Sequence, residues 1–231
     1  QNMKMSPRQN LILLTLVQEY IKTAKAISSG SLVKKYKLGI SSATARNELA
    51  ELESQGYIFQ PHTSAGRIPT EKAYQYYVDE KLLKEKIIGP NLKDLSQIFG
   101  NNEEDLKKVA RAIADFSNNA VFWAFHKNNL YYTGISNLFT QPEFQQGEVI
   151  IDVSLIIDQM EDIIADIFDQ VKNGISIEIG NKNPFGSFLS VVFLKYVSQG
   201  QMGIVGILGP LRMDYQKNLS LVHFLKEKLN N

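Results

Sequence analysis

Arg46 and Asn47 stand side by side in the run Ser41-Ser42-Ala43-Thr44-Ala45-Arg46-Asn47-Glu48-Leu49-Ala50, and both can read base edges. A guanidinium pairs bidentately with guanine, and a carboxamide does the same with adenine. Ala45, Leu49 and Leu52 recur at spacings of four and three, which puts them on the buried stripe of one helix. Ala43, Arg46, Asn47 and Ala50 then form the opposite face, small enough around its two polar groups for a groove wall to approach. Ser41 or Ser42 can cap this helix, and Gly56 can end it in the left-handed conformation. Taken alone, the segment fits an ordinary amphipathic helix better. It leads, however, into an arm, PHTSAGRIPT, with His62, Thr63, Ser64 and Arg67 available for contact.

The elements that must position these residues are short and closely spaced. Ser6-Pro7 is an N-cap followed by proline at the first helical position, and Leu11, Ile12, Leu14, Leu16, Val17, Tyr20 and Ile21 come after it at helical spacing. A second helix begins near Ser28 or Ser29, buries Leu32, Val33 and Tyr36, and stops at Leu38-Gly39. Only a few residues separate it from the Arg46 helix, so the pair reads as a helix-turn-helix whose second member lies in a major groove. Tyr57-Ile58-Phe59 predicts a strand, Ser64-Ala65-Gly66 a hairpin tip, and Arg67-Ile68 the returning strand. Three helices and a β-arm make a winged helix.

Charge is divided along the chain. Up to Gln75 there are ten basic and five acidic residues, a net of +5, while the remainder, fifteen basic against nineteen acidic, carries −4. A positive lobe on a near-neutral chain is the electrostatic footprint of phosphate binding.

Several runs, SPRQNLILLTLVQEYIKT, GISSATARNELAELESQGYIFQPHTSAGRIPTEKAYQYYVD, NLFTQPEF and GILGPLRMDY, closely resemble those of the HrcA-type heat-inducible transcription repressors of bacteria, with QPHTSAGR the most specific. The resemblance implies a repressor of chaperone genes that binds double-stranded DNA at an inverted-repeat operator. The resemblance further implies release on heat stress, when a GroEL-type chaperonin is occupied by damaged proteins. It also implies DNA contact through Ser42, Ala43, Thr44, Arg46 and Asn47 on the helix and through His62, Thr63, Ser64, Gly66 and Arg67 on the wing. In one respect the chain departs from the family: a helix-rich insert that joins two subunits is missing, because only His126 to Asn129 separates the strands that should flank it. An inverted repeat still calls for a homodimer, since two-fold DNA is matched by two-fold protein.

A chain of 231 residues allows about two domains: a winged helix-turn-helix over 1–75, a linker helix and hinge over 76–102, and a GAF-like regulatory domain over 103–231. Thr70 predicts the cap of a helix running to about Ile88, stopped by Gly89-Pro90, with Gly100-Asn101-Asn102 as hinge. Next come a helix over Glu103 to Phe116, a hairpin over Ala120 to Tyr132 with Asn128-Asn129 in its turn, and a helical region from Val153 to Asn173. Strands over Ile175–Ile179, Leu189–Val197 and Gly203–Leu208 and a last helix opened by Asp214 or Asn218 complete an α+β class with an antiparallel sheet.

Catalytic or cofactor chemistry finds little support. His62, His126 and His223 have no metal-ligand spacing, no cysteine is present to form a disulfide or thiolate site, and neither metal nor cofactor is expected. Gly200, Gly203, Gly206 and Gly209 fit no phosphate loop and suit a close-packed strand. Arg212 and Asp214 could line a ligand pocket, but a helix cap and a surface partner explain them more simply. No apolar run reaches the roughly 18 residues that span a bilayer, nor does the start resemble a signal peptide. A cytoplasmic, nucleoid-associated protein is expected, with a metabolite-responsive regulator sensing through the GAF-like domain as the alternative.

Overall fold

Ser6 opens the first helix as its sequence predicts. In the computed structural model its hydroxyl accepts from the Gln9 N–H at 3.2 Å while the Gln9 side chain accepts from the Ser6 N–H at 3.0 Å, a reciprocal cap with Pro7 at the first helical position. The structure describes residues 5–84, 93–100, 102–144, 147–198 and 200–229 and separates into two units, Gln1–Lys86 and Ile87–Asn231.

In the first unit, helices α1 (Pro7–Thr23), α2 (Ser29–Tyr36) and α3 (Ser42–Ser54) are followed by strands β1 (Ile58–Phe59) and β2 (Ile68–Pro69) and helix α4 (Glu71–Tyr77). Their core is made by Ile12, Leu13, Leu16 and Val17 of α1, Leu32 of α2, Ala45, Leu49 and Leu52 of α3, and Ile58, all buried. Ser28 and Ser41 cap α2 and α3 by accepting the Ser31 and Thr44 N–H groups, and Gly56 follows α3 at φ +76°. This is the predicted winged helix.

The region after the wing follows its sequence reading only in part. Thr70 stands at the N-cap of α4, as expected, but its side chain makes no capping bond; its hydroxyl is shared between the carbonyls of Gly56 at 2.8 Å and Tyr57 at 3.0 Å, fastening the start of α4 to the segment that follows α3. The helix then widens into a π turn over Val78–Leu82. Ala73, Tyr74, Tyr77, Val78 and Leu82 are buried, so this segment belongs to the core of the first unit. Gly89-Pro90, the expected stop, lies outside the described residues, as does Asn101 of the expected hinge.

The second unit contains α5 (Lys93–Ile98), α6 (Glu103–Ser117), β3 (Ala120–His126), β4 (Asn129–Thr133), α7 (Ile135–Phe139), α8 (Gly147–Asp158), α9 (Met160–Gln170), β5 (Gly174–Ile179), β6 (Leu189–Ser198), β7 (Gln201–Pro210) and α10 (Tyr215–Leu229). The five strands form one antiparallel sheet in the order β4-β3-β7-β6-β5. Alternate residues face opposite layers. Ala120, Phe122, Leu189, Val191 and Phe193 pack with Val153, Met160, Ile164 and Phe168 of α8 and α9. On the other face the Trp123 indole donates to the Tyr196 hydroxyl at 2.7 Å, and the Tyr215 hydroxyl of α10 meets that of Ser190 at 2.8 Å. The chain therefore has the predicted α+β class, a winged helix-turn-helix followed by a GAF-like antiparallel domain.

Of the glycines recurring every third residue, Gly200 takes a left-handed φ of +80° with open space beside it, and the other three have a steric explanation. A period of three alternates between sheet faces, and a Cβ on Gly203 would strike the Tyr196 ring, one on Gly206 the Phe122 ring and one on Gly209 the Asn119 side chain. They make room for large neighbours on both faces of β7.

Candidate nucleic-acid interface

The wet face of α3 carries Ser42, Ala43, Arg46 and Asn47, all exposed, while Ala45, Leu49 and Leu52 are inside. Thr44 is only half exposed, and its hydroxyl lies 2.9 Å from that of Ser41, so part of its bonding capacity goes to the cap. Neither Arg46 nor Asn47 has a side-chain hydrogen bond or ion pair among the described residues. The acidic residues of the same helix are engaged. Glu48 pairs with Arg8 at 3.3 Å, Glu53 with Arg67 at 2.8 Å, and Glu51 accepts from the Gln55 amide at 3.4 Å. Arg46 thus faces solvent with its charge uncancelled at close range.

The wing is a two-stranded ribbon in which Ile58 pairs with Pro69 and Phe59 with Ile68. Its turn is closed by the Ala65 N–H donating to the His62 carbonyl at 2.9 Å, so His62, Thr63 and Ser64 form the exposed tip. The predicted tip, Ser64-Ala65-Gly66, is displaced toward the amino-terminal side because Gly66 lies on the returning limb against the Ile27 backbone, where a Cβ would have no room. Arg67 exchanges both backbone hydrogen bonds with Ile27, at 2.8 and 2.9 Å, an isolated antiparallel bridge at the wing's base. Its guanidinium, 19% exposed, donates to Glu53. Among the expected contact residues, then, Ser42, Ala43, Arg46, Asn47, His62, Thr63 and Ser64 face outward, and Gly66 and Arg67 lie at the foot of the wing.

Glu53 and Gln60 were missed in the sequence, as was Ile27. The Gln60 side-chain amide donates to the Thr63 carbonyl at 2.9 Å and the Ala65 carbonyl at 2.8 Å, while its backbone N–H donates to Glu53 at 2.9 Å. One signal pointed there: an acidic residue at position 53, close in sequence to an arm expected to meet phosphates, needs a cationic partner. Ile27 left no such trace, since its contact is made by backbone alone. Between wing and helices lies a cleft of about 380 Å³ lined by Ser28 and Ser29 at the start of α2, Arg46 of α3, and Thr63, Gly66 and Arg67 of the wing.

The angle of α2 is set by a partly buried clamp. Lys35 donates to one oxygen of Glu19 at 2.6 Å and the Tyr36 hydroxyl to the other. The Lys35 bond, then the Tyr36 bond, holds the Glu19 carboxyl below the usual carboxylate range, and burial followed by the Glu19 bond pushes the Tyr36 phenol up to about 12.

In the second unit Arg212 and Asp214 have structural partners. Arg212 binds Glu143 through two nitrogens and Gln141 through one at 2.8 Å, and the Gln141 amide donates to the Asn118 carbonyl at 3.0 Å. The runs NLFTQPEF and GILGPLRMDY are therefore locked to each other. Asp214 caps α10 by accepting the Lys217 N–H at 3.0 Å. His62 is on the wing tip, His126 at the end of β3 and His223 on α10; among the described residues no three His, Cys, Asp or Glu side chains gather to hold a metal. Nor is any helix among them long and apolar enough to cross a membrane.

Comparison with known proteins bears on the whole chain. Residues 73–219 match the model of the HrcA protein C terminal domain. The chain is 27% identical over 335 aligned residues to the heat-inducible transcription repressor HrcA of Carboxydothermus hydrogenoformans, covering 96% of each, and 53% identical over 85 residues to that of Pelotomaculum thermopropionicum, covering 37% of this chain and 24% of the relative. A crystal structure of a hypothetical protein superposes with a TM-score of 0.83 at 20% identity, covering 98% of both chains, which shows the fold. The alignment with the Carboxydothermus protein runs over 335 residues where this chain has 231, so the relative carries a long stretch with no counterpart here. Shortened in this way but matched from end to end, the chain belongs to the HrcA family of heat-inducible transcription repressors.

Proposed function

We propose that the first unit binds an inverted-repeat operator upstream of chaperone genes, with α3 in the major groove and the wing tip against the neighbouring backbone. Arg46 and Asn47 read bases, Ser42, Ala43 and Thr44 let the helix start approach, and His62, Thr63 and Ser64 contact the duplex beside it. Gly66 and Arg67 serve the same surface from the wing's foot. The single observation that carries this is an exposed Arg46–Asn47 pair, without side-chain partners among the described residues, on a helix whose carboxylates are all engaged, in the lobe with the net positive charge. Two chains act together on the two half-sites, roughly 34 Å apart, and repression ends on heating, when a GroEL-type chaperonin is occupied. The protein works on the cytoplasmic nucleoid, without a catalytic step. Ligand sensing by the GAF-like domain has less in its favour, because its sheet faces are filled by fully buried rings such as Phe122, Phe144, Phe185 and Trp123.

The test is a gel shift on the inverted repeat preceding the host's chaperone genes, at growth temperature and after mild heating. A retarded band that disappears on heating is expected. No retention at any salt concentration would overturn the DNA-binding assignment, and retention unaffected by heat would overturn the switch.

A further inference from the structure

Glu53 is an acidic side chain at the carboxyl end of the helix proposed to read DNA, where simple charge logic would exclude it. Its two oxygens have different partners. One accepts the backbone N–H of Gln60, on the limb that leaves for the wing, and the other accepts the Arg67 guanidinium, on the limb that returns, at 2.9 and 2.8 Å. A single carboxylate thus holds both feet of the ribbon to α3. Beyond it, Gln60 spends both amide hydrogens on the Thr63 and Ala65 carbonyls, so these two wing acceptors are satisfied internally. Gly66 and Arg67 are in turn seated on Ile27, just ahead of α2. Reading helix and wing are tied through hydrogen bonds that fix distance and direction together.

We infer that Glu53 and Gln60 are positioning residues that hold the wing at a set angle to α3, so that helix and tip reach the duplex in one geometry without a further ordering cost. The inference rests on the DNA-binding assignment above. It makes Arg67 an anchor of the wing, its charge spent on Glu53, in place of a direct reader of phosphate.

The two explanations of Glu53 predict opposite signs. If it is only a negative charge near phosphates, Glu53→Gln removes repulsion and tightens binding. As a positioning residue, its amide replacement can accept one of the two bonds but not both with equal strength, and binding weakens. The experiment measures affinity of the full chain for a fluorescein-labelled duplex of the inverted repeat across a salt series, with melting curves for each variant. Glu53→Gln is expected to lose about tenfold in affinity, and Gln60→Ala, which leaves the Glu53–Arg67 pair in place, a similar amount, both melting within a few degrees of wild type. Affinity for Glu53→Gln equal to or above wild type overturns the proposal; so does a Gln60→Ala variant that binds normally. Arg46→Ala is the separate arm: if wild type binds and Arg46→Ala does not while both positioning variants do, only the wing inference fails, and if wild type itself fails to bind, the assignment beneath it fails.

Discussion

A guanidinium that has no carboxylate within reach keeps its charge and its five donors for an incoming ligand, whereas one already paired with a carboxylate has its charge offset at close range. Among the described residues Arg46 is the first kind, and Arg67, whose Nε donates to Glu53 while its backbone is fixed to Ile27, is the second. The two arginines therefore answer substitution differently. Arg46→Ala is expected to cost about 1–3 kcal/mol of operator binding and to relax specificity at one base pair, with an unchanged melting temperature. Arg46→Lys keeps the charge but loses the planar fork, so nonspecific binding at low salt is retained while preference for the operator falls. Competition between operator and random duplex at two salt concentrations checks both outcomes. An Arg46→Lys variant with wild-type preference would mean that the side chain contacts only phosphate.

At the level of elements, the α1–α2 clamp ties the helix-turn-helix to the rest of its lobe. Tyr36→Phe removes a hydrogen bond to a charged, mostly buried Glu19, and is expected to destabilise the first unit by about 1.5–3 kcal/mol, seen as a lower denaturation midpoint. The signs of the pH dependence come from the two shifts. Glu19, held below the usual carboxylate value of 4.5, contributes stability that is present above that pH and lost as pH falls through its lowered folded value. Tyr36, raised from 10.0 to about 12, contributes stability present below pH 10 and lost as pH rises through about 12. A Tyr36→Phe midpoint difference that stayed constant from neutral pH past 12 would contradict the clamp. In the second unit Gly206→Ala places a methyl group against the Phe122 ring and is expected to cost about 1–3 kcal/mol, read by thermal melting. Most of this architecture was legible in the residues. Caps at Ser6 and Asp214, the α3 stripe, the Asn-rich hairpin and the strands of the sheet all announce themselves through local chemistry or periodicity. What stayed hidden depends on partners distant in sequence. Thr70 has the form of a cap, yet its hydroxyl goes to Gly56 and Tyr57; Gly66 has the form of a turn residue, yet it is required by the approach of Ile27. At the interface the outward residues of α3 and the tip were readable, while the bonds that hold the wing to the helix were not.

For the whole molecule, the missing family stretch bears on how two reading heads are brought together. An inverted repeat presents two equivalent half-sites, and one head on one half-site makes a modest set of phosphate and base contacts. If two chains associate through what remains, the second head binds at an effective concentration set by the dimer's geometry, and the full repeat is held about 10²–10⁴-fold more tightly than a half-site duplex. Without association, the half-site and the full repeat differ only by the statistical factor for two equivalent places. The comparison therefore detects dimerisation through DNA itself, whichever surface makes the contact. We expect strong preference for the full repeat, with sedimentation showing two chains per duplex, and a sharp loss when half a helical turn is inserted between half-sites, because the second head then meets the opposite side of the duplex. Equal affinity for half-site and full repeat, indifferent to that insertion, would show that a chain shortened in this way reads its operator one head at a time.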